Sequence, residues 1–270
     1  MSKPPDRPNP ERATSDRAMP ERATSDRATP DRAPGGDTTP ATTSSRAEID
    51  AFVAQVKALG AARAPGTVAG GRGRLVFALD ATMSRQPTWD TACRLQADMF
   101  AEAGAVGGLD VQLVYFRGLS ECRASKFVSD PKALASLMER IDCRGGHTQI
   151  GKVLSHVRRE NETTKVAALV YVGDAMEEPV DDLCARAGEL GLAAVPCFVF
   201  QEGHDPVAEQ AFREIARLSG GAWCRFSSGA AHELGALLRA VAAYASGGRD
   251  ALHRLAGRNT AAVRLLEQLR

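Results

Sequence analysis

From Arg74 onward the chain alternates short apolar runs with stretches of helical period, and this alternation constrains the fold more than any other feature. "RLVFALD" is almost continuously hydrophobic, as a central parallel strand covered on both faces requires. The next stretch, "TWDTACRLQADMFAEAG", places Ala92, Leu95 and Met99 on one helical face. "LDVQLVYFRG" and "ECRASKFVS" read as two strands joined by a short turn containing Gly118, hence an antiparallel hairpin. "SDPKALASLMERID" reads as a helix capped by Asp130, with Pro131 in its first turn and Leu134, Leu137, Met138 and Ile141 along its face. After the glycine turn "RGGHT", Ile150, Val153, Leu154 and Val157 mark a further helix.

The alternation then continues through strands "KVAALVYVGD", "AAVPCFVFQ" and "AWCRFSSG". Helices "PVDDLCARAGELG", "DPVAEQAFREIARLSGG" and "AHELGALLRAVAAYA" separate and follow them. Strands joined by helices of this length imply right-handed crossovers. The expected fold is a three-layer α/β/α, doubly wound, mostly parallel sheet with one antiparallel edge strand, over residues 72–246. The segment 247–270, with Leu252, Leu255, Val263, Leu266 and Leu269, is expected to be a helical extension acting as an interface helix.

The N-terminal region has a different composition. "PERATSDRA" occurs at 10–18 and again at 20–28, and a decayed third copy follows. Proline in every copy and alternating Arg with Asp or Glu cannot bury enough apolar surface to offset chain entropy, so 1–44 is expected to be a disordered tail. It is read either as a spacer without specific function or as a docking arm. Between tail and domain, 45–71 is expected to hold a helix and a linker. Ser45 and Glu48 have capping-box spacing, and Ile49, Phe52, Val53, Val56 and Leu59 share a face.

Charge and cysteine content narrow the function. Of 270 residues, 34 are Lys or Arg and 33 are Asp or Glu, a net charge of +1, so no overall field recruits nucleic acid or acidic lipid. Six scattered cysteines with no CxxC pair are poor zinc ligands and are expected to be reduced, mostly buried thiols. "MSKPPDRPNPER" lacks an apolar segment of signal-peptide type, and the apolar runs are too short to span a bilayer. A cytoplasmic protein is the expectation.

In a doubly wound sheet, ligands bind beyond the carboxyl ends of the strands. The first strand delivers Asp80, Thr82 and Ser84 there. "VAALVYVGD" ends in Asp174, followed by Glu177 and Glu178, and the glycine-rich loop carries His147 and Thr148. Two carboxylates and three hydroxyls form an oxygen-only set that suits a hard cation, Mg²⁺ more readily than Ca²⁺ because it retains water. Taken singly, Asp80 and Asp174 read better as caps than as ligands.

As a set, "DATMS", "GGHTQIGKVL" and "YVGDAMEE" resemble the von Willebrand factor A domain and its metal-ion-dependent adhesion site, in the family's order. The departures are Thr82 in place of the first serine of the motif and His147 inserted before Thr148. The resemblance implies an ion, Mg²⁺ with Mn²⁺ or Ca²⁺ as alternatives, held directly by Thr82, Ser84 and Thr148 and through water by Asp80 and Asp174. It also implies a partner protein whose acidic side chain completes the coordination. AAA-type ATPase complexes are among the partners that bacterial members serve. His147, Glu177 and Glu178 would form the rim of the partner site. A fold of this type with a degenerate, metal-free site is the alternative reading.

An enzyme is a distant runner-up. A phosphoryl-transfer hydrolase with Asp-x-Asp after its first strand needs a second carboxylate where Thr82 stands, and Thr82 cannot supply that acid. No phosphate-binding glycine loop or nucleophile elbow is present. The expectation is an interaction module without catalysis, binding neither nucleic acid nor membrane.

Overall fold

A computed structural model describes residues 72–104, 107–227 and 230–269, the side chains of Ser84 and Gln96 excepted. The repeat-bearing tail and the Ser45 helix lie outside the described residues. Six strands form one sheet in the order β3-β2-β1-β4-β5-β6. They are β1 (Gly73–Asp80), β2 (Leu109–Arg117), β3 (Glu121–Ala124), β4 (Ala168–Gly173), β5 (Cys197–Glu202) and β6 (Ala222–Phe226). All neighbours are parallel except β2 and β3, which pair antiparallel with Phe116 opposite Cys122. The mostly parallel sheet with one antiparallel edge is therefore as expected. Gly118 takes positive φ (+60°) in the β2–β3 turn, a conformation that glycine adopts without a Cβ penalty.

Seven helices lie among the described residues: α1 (Gln86–Gly104), α2 (Pro131–Met138), α3 (Ile150–Thr163), α4 (Val180–Leu192), α5 (Pro206–Ser219), α6 (Ala231–Ala256) and α7 (Thr260–Leu266). Alternation along each strand feeds two cores. Leu75, Phe77 and Leu79 of β1 face the layer that includes Trp89, Met99, Leu134 and Leu238. Val76 and Ala78 face the opposite layer, which includes Ile150, Leu183 and Phe212. A helix layer on each face explains why β1 and β4 read as unbroken apolar runs.

Local signals place several boundaries. Asp130 caps α2, accepting from the Ala133 amide at 3.0 Å with Pro131 in the first turn. Asp205 does the same for α5, accepting from the Val207 and Ala208 amides at 2.8 Å. The stretch read as a strand over "ECRASKFVS" is shorter than its apolar content implies. It ends at Ala124 and returns to β2 only as an isolated Val111–Val128 bridge.

α6 breaks at Gly247 and Gly248, both outside helical φ/ψ. The segment beyond packs back on the first core through Leu252, Leu255, Leu265 and Leu269, whereas Val263 is exposed. All six cysteines are free thiols; Cys143, Cys197 and Cys224 are buried and the other three half-buried. No helix among the described residues is long and apolar enough to cross a membrane.

Candidate functional site

Strand order reverses between β1 and β4, since β1 continues to β2 on one side and to β4 on the other. Asp80 ends β1, and Asp174 directly follows β4. The two carboxyls influence each other electrostatically. Ser84 lies in a single 3₁₀ turn, Met83–Arg85, that leads into α1.

The glycine-rich loop is tied to this mouth by backbone hydrogen bonds. The Arg144 amide donates to the Ala81 carbonyl at 2.9 Å, and the His147 amide donates to the Gly118 carbonyl at 3.1 Å. A Cβ on Gly146 would meet the Gly118 carbonyl oxygen at 2.1 Å, so only glycine lets the two loops approach this closely. Thr148 is clasped from the β4 side. Its hydroxyl accepts from the Glu177 amide and its amide donates to the Glu177 carboxylate, both at 3.1 Å. Thr148 is buried, and the three loops that carry Asp80, Thr148 and Asp174 are thereby joined.

Electrostatics differ sharply within the site. Asp80 is almost fully buried, and burial pushes its carboxyl up to about 6. Hydrogen bonds from Thr82 oppose that rise, the amide at 2.7 Å and the hydroxyl with it; the nearby Asp174 charge adds to it, and Arg85 opposes it. The exposed Glu177 carboxyl is held below its usual range by the His147 ring, 2.9 Å away, and by the Thr148 amide. Glu178 turns away to the start of α3, accepting from the Ile150 amide at 2.5 Å and the Gly151 amide at 2.8 Å. Of the three rim residues, His147 and Glu177 are exposed and bound to each other, whereas Glu178 caps a helix.

Sequence reasoning missed the strongest ion pair of the mouth. Arg85 is 3% exposed and pairs with the buried Glu202 at the end of β5. The same guanidinium lies 3.6 Å from the Asp174 carboxylate. Thr88 of α1 donates its hydroxyl to Glu202. The Arg85 Nε is buried and has no hydrogen-bond partner among the described residues. Glu202 had a signal, a carboxylate ending an otherwise apolar strand, as Asp80 does in β1. Arg85 had only its position after "DATMS".

No family model matches this sequence, and no curated protein matches it either. Solved structures do. A von Willebrand factor type A protein from Catenulispora acidiphila aligns with a TM-score of 0.52 at 18% identity, over 66% of this chain and 43% of that one. The fold is von Willebrand factor A-like. An aerotolerance-related membrane protein from Bacteroides fragilis aligns at TM-score 0.47 and 19% identity, over 60% of this chain and 96% of that chain. BatB from Bacteroides thetaiotaomicron aligns at 0.48 and 18%, over 68% and 99%. At these identities the likeness concerns the fold of the von Willebrand factor A-like domain and nothing finer. Within that domain no group of three or more His, Cys, Asp or Glu able to hold a metal occurs among the described residues. An ion at the β1–β4 mouth would therefore need hydroxyl oxygens as well as Asp80 and Asp174.

Proposed function

We propose that the domain is a Mg²⁺-dependent protein-interaction module without catalysis of its own. Asp80, Thr82, Ser84, Thr148 and Asp174 would hold the ion, and an acidic side chain of a partner protein would complete its shell. The carrying observation is the meeting of carboxylates and hydroxyls at the mouth. Asp80, Asp174 and Glu202 converge there around Arg85, Thr82 hydrogen-bonds Asp80, and the Thr148 loop is tied to the same strand ends. A hard cation with retained water suits such a set of carboxylate and hydroxyl donors. Three neutral hydroxyl donors leave the ion electrophilic toward an incoming carboxylate, a charge-assisted contact. His147 and Glu177, linked and exposed, would meet the partner.

Calorimetric titration of the purified protein with Mg²⁺ and Mn²⁺, beside Asp80→Ala and Thr148→Ala, tests this. Saturable binding by the parent alone is expected. Equal, negligible heats from all three would sink it. The buried Arg85 favours one second reading, a metal-free scaffold in which the guanidinium serves as the resident cation. Partner capture that persists unchanged in EDTA would select that reading. AAA-type ATPase complexes and a cytoplasmic setting remain the partner class and location we would examine first.

A further inference from the structure

A concavity of about 430 Å³ lies away from the strand-end mouth, between edge strand β3 and the outer face of α3. Arg123 reaches it from β3, Lys152, Ser155, His156 and Arg159 from successive turns of α3, and Arg186 from α4. No carboxylate lines it. Its cations are also unusually free of acids. Lys152 donates to the Ser120 carbonyl at 3.0 Å and to the Gln149 side-chain oxygen at 2.8 Å, and Arg186 donates to the Ser155 hydroxyl. Among the described residues, Lys152, Arg159 and Arg186 have no carboxylate within ion-pair distance.

The nearby acids are engaged elsewhere. Glu178 caps α3, and Glu160 faces Arg74 and Gln112, with His156 at 3.8 Å. Glu121 pairs with Arg117 and lies 3.9 Å from Arg123. Over most of the remaining surface, arginines are paired, as Arg72 is with Asp110, Arg158 with Glu162, Arg217 with Glu214 and Arg258 with Glu102. Lys152, Arg159 and Arg186 thus gather unpaired positive charge around one hollow.

The geometry points to a binding site for a phosphate-bearing small molecule in the β3–α3–α4 cavity, with Arg123, Lys152, Arg159 and Arg186 as its cationic wall. Guanidinium forks match phosphate oxygens in pairs, and a concave wall of one sign focuses field on an anion. The cavity has the size of small-molecule sites. Its cations surround a hollow instead of tracking along a strip, which favours a compact ligand over a nucleic-acid strand.

The test is calorimetric titration in EDTA with inorganic phosphate, pyrophosphate and ATP, at matched ionic strength. Saturable binding of pyrophosphate or ATP is expected, weakened about tenfold by Arg159→Gln and again by adding Lys152→Gln, since each removes one charge-assisted contact. Arg158→Gln, one position away but paired with Glu162 and Glu189, is expected to change affinity by less than about twofold. Binding of inorganic phosphate alone would identify free phosphate as the ligand; preference for ATP would identify a nucleotide. Absence of saturable binding, equal binding by the double variant, or tighter binding of a single-stranded oligonucleotide than of ATP would overturn the assignment.

Discussion

The strand-end mouth and the β3–α3–α4 cavity are oppositely charged, and they hold that charge in different ways. At the mouth the charges are buried: Asp80, Arg85 and Glu202 are each less than a tenth exposed, and Arg85 pairs with Glu202 within the protein. In the cavity Arg123, Lys152, Arg159 and Arg186 are exposed, and solvent screens them. Burial makes every charge of the mouth part of the folding energetics, so a change of composition there alters stability. The cavity's cations contribute little to folding and leave their field available to a ligand.

Breaking the buried pair on one side is expected to have the largest effect. Glu202→Ala leaves Arg85 buried without its closest carboxylate and should destabilise the domain by about 3–5 kcal/mol in chemical denaturation. Glu202→Met combined with Arg85→Met should recover part of that loss, because the buried pair leaves together, while Asp80 and Asp174 lose the same guanidinium. A double variant no more stable than Glu202→Ala would show that the mouth is not held by charge compensation.

Asp80 acts in the opposite sense. Its carboxyl titrates at about 6 in the folded chain against 3.8 for an unperturbed aspartate. The folded state therefore holds the proton more tightly, and the stabilisation is complete below about pH 4 and lost as pH rises through about 6. In EDTA, Asp80→Asn should stabilise the protein at pH 7 by about 3 kcal/mol and flatten the slope between those limits. The same substitution should abolish Mg²⁺ binding. A variant less stable than the parent at pH 7 would mean that Asp80 is a structural cap, whose charge the fold needs.

Gly146→Ala forces a Cβ against the Gly118 carbonyl and should cost about 1–3 kcal/mol, with loss of the Mg²⁺ response if the loop must stay docked. Thermal melts with and without Mg²⁺ would separate the two effects. The smallest change belongs to the exposed surface. Arg158→Gln breaks pairs with Glu162 and Glu189, all three residues about half exposed, and should shift stability by less than about 1 kcal/mol. A larger shift would remove the contrast between buried and exposed charge.

Much of the architecture was legible because its signals are local. Apolar runs, the Gly118 turn and the Asp130-Pro131 start of α2 each depend on residues a few positions apart, and the helix and strand periods follow from backbone geometry. The C-terminal segment was legible as helical, and Leu252, Leu255 and Leu269 are buried, but the rotation of α7 was not legible. Val263 is exposed while Ala261, Ala262 and Leu265 are buried, since packing against the first core sets the rotation of α7. Glu178, read as rim, lies at the α3 N-terminus, where Ile150 and Gly151 present free amides.

By itself, the sequence determined the elements, their alternation, and the rule that Asp80 and Asp174 emerge at the carboxyl ends of strands. Only the tertiary structure decided which charges meet. The order β1-β4-β5 sets the ends of three parallel strands side by side, and Arg85 then reaches Glu202, a residue far along the chain. The same assembly brings Arg123, Arg159 and Arg186 from three separate elements around one hollow. Periodicity is written in neighbours along the chain, whereas Coulomb interactions depend on distance in space, and strand order converts one into the other.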